Sequence, residues 1–106
     1  MGGEHRMRSQ VIPLQNGEAM GYVLDLGKAP LLIIQVKQGY VMCGYLNMAA
    51  ANKLGDKAGR VTGVKTFEDV LNAKIVEVSD QARQQGLNEG MNGKDFLNAL
   101  LQGDQR

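Results

Sequence analysis

Val11-Ile12-Pro13-Leu14-Gln15-Asn16-Gly17-Glu18-Ala19-Met20-Gly21-Tyr22-Val23-Leu24-Asp25-Leu26 is the stretch on which the fold turns. Two apolar-rich arms flank Asn16-Gly17, a pair that tolerates positive φ and is the strongest short-range signal for a β-hairpin. Alternation on either side predicts two antiparallel strands. On the second arm Ala19, Gly21, Val23 and Asp25 share one parity, and Met20, Tyr22, Leu24 and Leu26 share the other. The second set is larger and more apolar, so it is predicted to face the core. Pro13 has no N–H for a ladder, which puts the first arm at a sheet edge or at a bulge.

Downstream, Gly27-Lys28-Ala29-Pro30 breaks the chain before a third strand, Leu31–Lys37, whose first residues are apolar on both parities and so predicted to be buried on both faces. Lys37-Gln38-Gly39 turns into a fourth strand, Tyr40–Leu46, completing an antiparallel meander. The period then changes. Asn47 caps a short helix, Met48–Leu54, which Gly55 ends in the left-handed conformation. Asp56-Lys57-Ala58-Gly59 reads as a loop and Arg60–Val64 as a fifth strand. Thr66-Phe67-Glu68-Asp69 opens a second helix, to Ala73, with Asp69 in place of the usual Glu of a capping box. Residues 66–85 then allow two readings. Lys74–Val78 is a sixth strand followed by a helix capped by Ser79 or Asp80, or the whole segment is one helix, which its β-branched residues oppose only mildly. Asn92 caps the last helix, Gly93–Leu101, with Phe96, Leu97, Leu100 and Leu101 in one stripe.

Strands first and helices after give an α+β chain: an N-terminal antiparallel meander, then short helices with one or two further short strands. At 106 residues this is one domain. Residues 1–10 are expected to be a flexible lead-in containing His5, with a single α+β domain over 11–102. Within it, 11–46 form the β region and 47–102 the helix-rich part. Folding such a chain removes roughly 11,000 Å² from water, about two-thirds of the unfolded surface, a thin margin that self-association would improve.

Composition narrows the function. A net charge of +1 with interleaved signs, Arg6 and Arg8 being the nearest approach to a basic patch, argues against nucleic acid. The longest apolar run, Pro30–Ile34, is too short for a membrane span. One cysteine forms no intrachain disulfide and the first residues do not resemble a signal peptide, so a cytoplasmic location is expected. Six methionines among sparse aromatics suggest an aliphatic, adaptable core.

Two glycine-bearing stretches hold the chemically interesting side chains: Gly39-Tyr40-Val41-Met42-Cys43-Gly44 and Gly59-Arg60-Val61-Thr62-Gly63-Val64-Lys65-Thr66. Glycine within a strand marks close approach of a backbone or a ligand. Cys43 is the one candidate nucleophile, but no histidine can be assigned to it, and a free cysteine is more often buried structure. Arg60, leaving a glycine corner, offers a planar fork for a carboxylate or phosphate, against the plainer reading of a salt bridge to Asp56, Glu68 or Asp69, or to another subunit. Gly90-Met91-Asn92-Gly93-Lys94 fails the phosphate-loop pattern, since Asn88 stands where the first glycine belongs and Asp95 where Ser/Thr belongs. Nothing in the spacing suggests a metal site or a cofactor.

The same two stretches, together with Leu87-Asn88-Glu89-Gly90-Met91-Asn92-Gly93-Lys94, resemble the YunC-like family of uncharacterised bacterial and archaeal proteins. The resemblance extends over about Ile12 to Leu101. It implies a β region that assembles subunits into a tetramer, and it supplies no catalytic residues to carry over. The first expectation is therefore a cytoplasmic homo-oligomer, a tetramer in the family pattern, associating through residues 11–46. The alternative is a small-molecule (anion) binding protein or enzyme with a pocket at Cys43, Gly44, Arg60 and Gly63.

Overall fold

The computed structural model describes residues 7–103. One six-stranded sheet runs in chain order: β1 (Met7–Leu14), β2 (Gly17–Asp25), β3 (Pro30–Val36), β4 (Gly39–Met42), β5 (Ala58–Arg60) and β6 (Glu77–Val78). Four helices complete the α+β fold: α1 (Met48–Leu54), α2 (Phe67–Asn72), α3 (Asp80–Gln84) and α4 (Gly93–Gly103). Neighbouring strands are antiparallel except β4 and β5, which are parallel and joined through α1.

The hairpin forms, but its turn is Gln15-Asn16, with Leu14 opposite Gly17 and, among the described residues, none other than glycine at positive φ. Asn16 is held from outside the turn. Its N–H donates to Asn98 Oδ1 at 2.9 Å and its Nδ2 donates to the Asn98 carbonyl at 3.0 Å, pinning the hairpin tip to α4. β1 begins at Met7, so residues 7–10, read from sequence as lead-in, are strand paired with Gly21 to Leu24. The apolar alternation that signals a strand is missing there because those side chains are solvent-exposed; the ladder to β2 supplies the order. His5 and Arg6 lie outside the described residues.

The facing of β2 is the reverse of the expectation. Ala19, Gly21 and Val23 are buried, while Met20 and Leu24 are half-buried and Tyr22 is 38% exposed. A Cβ on Gly21 would stand 2.8 Å from the Phe67 ring, so the small residues mark where α2 comes close to the sheet. That inner face carries the main core, in which Ile12, Leu32, Ile34 and Val41 meet Val70 of α2 and Phe96, Leu97 and Leu100 of α4. β3 likewise buries Leu32, Ile34 and Val36 but leaves Leu31 and Ile33 half-buried. The outer face is covered only at one end, where α1 places Met48 and Ala51 on Met42 and Ala58.

Residues 66–85 resolve as helix, strand, helix. Thr66 Oγ1 accepts from Asp69 N–H at 3.0 Å and caps α2, while Asp69 reaches back to the N–H of Lys65. α2 ends at Ala73, Lys74 keeps only a bridge to Asn92, and β6 is reduced to Glu77 and Val78. Ser79 caps α3, and Leu87 N–H donates to the Ala82 carbonyl past Gly86 (φ 94°), a Schellman stop. The cap of α1 by Asn47 and its left-handed Gly55 are as the sequence indicates. β5 lies earlier than its apolar run, at Ala58–Arg60, because the residues after Arg60 diverge toward α2 after one further bond, Val61 N–H to the Met42 carbonyl.

Candidate functional site

β4 and β5 run side by side in the same direction, yet the segments leaving them go to opposite faces of the sheet. After β4 the chain turns at Gly44-Tyr45 into α1 on the outer face, and after β5 it passes Val61 to Lys65 into α2 on the inner face. A cleft of about 340 Å³ lies between the two exits. Cys43, Gly44 and Tyr45 form one wall and Gly63, Val64 and Lys65 the other. The end of the β2–β3 loop, Ala29 and Pro30, closes the side.

Cys43 follows the last residue of β4 and stays tied to the sheet. Its N–H donates to the Leu32 carbonyl at 3.1 Å, and its Sγ accepts from the Leu32 N–H at 3.3 Å. At 3% exposure the thiol belongs to the inner core as well as to the cleft floor. Tyr45 lies across the rim, its hydroxyl donating to the Ala29 carbonyl at 3.0 Å, which fixes the Ala29-Pro30 wall to the β4 exit. Gly63, at φ 71°, takes the left-handed conformation that lets the β5 exit bend over the cleft.

The structure brings together three of the four residues singled out from sequence. Arg60 is the exception: it does not line the cleft. It stands on the outer side of β5, where its Nε donates to Glu77 Oε1 at 2.8 Å. The acid is thus Glu77, the cross-strand neighbour on β6, and not Asp56, Glu68 or Asp69. The charged side chain lining the cleft is Lys65. Pro30, Tyr45 and Lys65 escaped the sequence reading because their approach depends on the parallel pairing of β4 with β5, a long-range contact without a local signal. The glycines separate by role. Gly39 and Gly59 admit neighbours, the Lys57 carbonyl in one case and the Ile75 and Phe96 side chains in the other, whereas a Cβ on Gly44 would make only ordinary contacts, with Thr62 Cγ2 at 3.6 Å and Arg60 Nη1 at 4.0 Å.

On the outer face a second concavity of about 290 Å³ separates the sheet from α1, with Tyr22, Ile33, Met42 and Leu54 among its walls. Tyr40 at its margin donates its hydroxyl to Asp56 Oδ2 at 2.7 Å. Burial, then the hydrogen bond to Asp56 and the charge of that carboxylate, push the Tyr40 phenol up to about 12. On the far surface Arg83 and Glu89 form a bidentate pair, and the hydrogen bond from Arg83 holds the Glu89 carboxyl below its ordinary range. Among the described residues no three His, Cys, Asp or Glu side chains converge as metal ligands, and no helix is long and apolar enough to cross a membrane.

Comparison with known proteins places this geometry in a family. Residues 42–100 match a domain of unknown function, DUF1805. The chain is 33% identical over 82 residues to the uncharacterised protein YunC of Bacillus subtilis (strain 168), covering 74% of this chain and 81% of that one. The crystal structure of TA1206, a protein of unknown function from Thermoplasma acidophilum, is similar throughout, with a TM-score of 0.87 at 44% identity over 94% of this chain and 97% of the other. The matched segment 42–100 includes both strand exits that wall the cleft and excludes β1, β2 and β3.

Proposed function

The chain belongs to the DUF1805 family, and from that premise we propose that it works as a homo-oligomer whose subunits associate through the outer face of β1, β2 and β3. The observation that carries this reading is the composition of that face. By the register, eleven side chains of the three strands point outward: Met7, Ser9, Val11 and Pro13, then Glu18, Met20, Tyr22 and Leu24, then Leu31, Ile33 and Gln35. Glu18 is the one charged residue among them. Met7 is 68% exposed and Val11 51%, and α1 approaches this face only beside Tyr22, Ile33 and Gln35.

A monomer rarely leaves so continuous an apolar surface in water. Fully burying an exposed side chain the size of Val, Leu or Met contributes about 1.5–3 kcal/mol, so covering Met7, Val11 and Tyr22 on each of two subunits supplies a favourable term to set against the entropy of association. An oligomer that keeps its thiol free suits a reducing compartment such as the cytoplasm.

The test is the molar mass of Val11→Lys/Tyr22→Lys beside the parent chain, by size exclusion with light scattering. Both positions are exposed and lie outside the two core clusters, so the variant is expected to fold. The proposal expects a multiple of 11.5 kDa for the parent and a shift toward the monomer for the variant. An unchanged multiple in the variant refutes the outer face as the interface.

A further inference from the structure

We propose that the cleft between the exits of β4 and β5 binds a small molecule carrying a carboxylate on a short aliphatic body. Position is the first argument. Where adjacent parallel strands send their connections to opposite faces of a sheet, the chain parts and leaves a crevice at the strands' carboxyl ends, and ligands of open α/β sheets bind there. β4 and β5 form such a pair, with α1 on the outer face and α2 on the inner, and the cleft lies at that parting.

The lining selects the chemistry. Gly44, Gly63 and Val64 have amide N–H groups that donate to no acceptor among the described residues, and Lys65 adds an ammonium to the same rim. No carboxylate lines the cleft. The nearby Asp69 is occupied in accepting the Lys65 N–H. Free amides beside a cation favour an oxyanion, and charge-assisted hydrogen bonds of this kind are the strong ones. Pro30, Val64 and the Tyr45 ring are apolar, so the remainder of the ligand is too. A volume of about 340 Å³ is at the small end of ligand pockets, which points to a metabolite-sized molecule. The Tyr45–Ala29 hydrogen bond holds the walls in place before binding, limiting the ordering cost. Arg60 does not line the cleft; its Nε is held by Glu77, and its Nη1 lies behind the wall, 4.0 Å from where a Gly44 Cβ would stand.

The probe is isovalerate, with isovaleramide as its neutral counterpart, followed through the backbone amide resonances of the full chain. Isovalerate is expected to shift Gly44, Gly63, Val64 and Lys65 saturably, and isovaleramide to bind about tenfold more weakly, the equivalent of one charge-assisted contact. Lys65→Gln, an exposed position, should weaken isovalerate to a similar extent. Gly44→Val adds a branched side chain to the cleft wall at a point where a Cβ meets Thr62 Cγ2 at 3.6 Å and Arg60 Nη1 at 4.0 Å, both ordinary contacts, so the protein should stay folded while the shifts weaken. Four results overturn the proposal: no saturable shift in the parent chain, equal binding of isovaleramide, unaltered binding in Lys65→Gln, or unaltered binding in a folded Gly44→Val. None of them depends on whether subunits associate.

Discussion

Replacing Ser79 by alanine removes a single oxygen from the most polar point of the interior. Ser79 is fully buried, and its hydroxyl serves three backbone groups. It accepts from the Ala58 N–H at 2.9 Å, donates to the Asp56 carbonyl at 2.7 Å, and caps α3 by accepting from the Ala82 N–H at 3.3 Å. Ala58 is itself 0% exposed, so in Ser79→Ala its N–H has no water to turn to. Losing an N-cap costs about 1 kcal/mol. A buried donor left without a partner adds about 1–3 kcal/mol. The sum, roughly 3 kcal/mol, is a large share of the stability of a chain this size. It should lower the melting temperature by about 12–24 °C. Urea unfolding at fixed protein concentration measures it directly, the concentration being held because association adds to apparent stability. Thr66→Ala is the control: its hydroxyl caps α2 at the surface, and its loss should cost only about 1 kcal/mol. If the two variants were equally mild, the hydroxyl would not be satisfying a buried amide, and the reasoning would fail.

Two further outcomes follow from the site geometry. Tyr40 is held at about 12 in the folded chain against 10.0 for a free phenol, so folding favours its protonated form. Its contribution to stability is complete below pH 10 and is lost as pH rises from there to about 12. The stability difference between the parent chain and Tyr40→Phe should therefore shrink across that window, and two curves that stay parallel would contradict the Asp56 contact. Cys43, at 3% exposure and accepting a hydrogen bond from Leu32, should resist iodoacetamide until the protein is denatured. Rapid labelling of the native chain would mean that the thiol is more open than its place in the core allows.

Local signals carried most of the fold into view. Asn47, Thr66, Ser79 and Asn92 announce helix starts, and Gly55 and Gly86 announce stops, because capping needs only a side chain and the amides two or three residues away. The side of β2 that faces the core was not legible. Periodicity assigns the bulkier parity inward, whereas here α2 approaches so closely that the inner parity must be Ala19 and Gly21. What decides the facing is the Phe67 ring, forty-six residues away from Gly21 in the chain. The same holds for the site. Cys43, Gly44 and Gly63 stand out as residue types, but Lys65 is one lysine among several until β4 and β5 pair in parallel. Arg60 looked available because its partner, Glu77, belongs to a two-residue strand that scarcely registers as a pattern. The bulky outward parity of β2 is the surface that the proposed subunit contact would cover.

Sedimentation equilibrium of the parent chain over a range of micromolar concentrations bears most directly on that contact. Self-association predicts a molar mass that is a whole multiple of 11.5 kDa and falls only on dilution. A constant 11.5 kDa at every concentration would leave Met7, Val11 and Tyr22 facing water and would contradict the account.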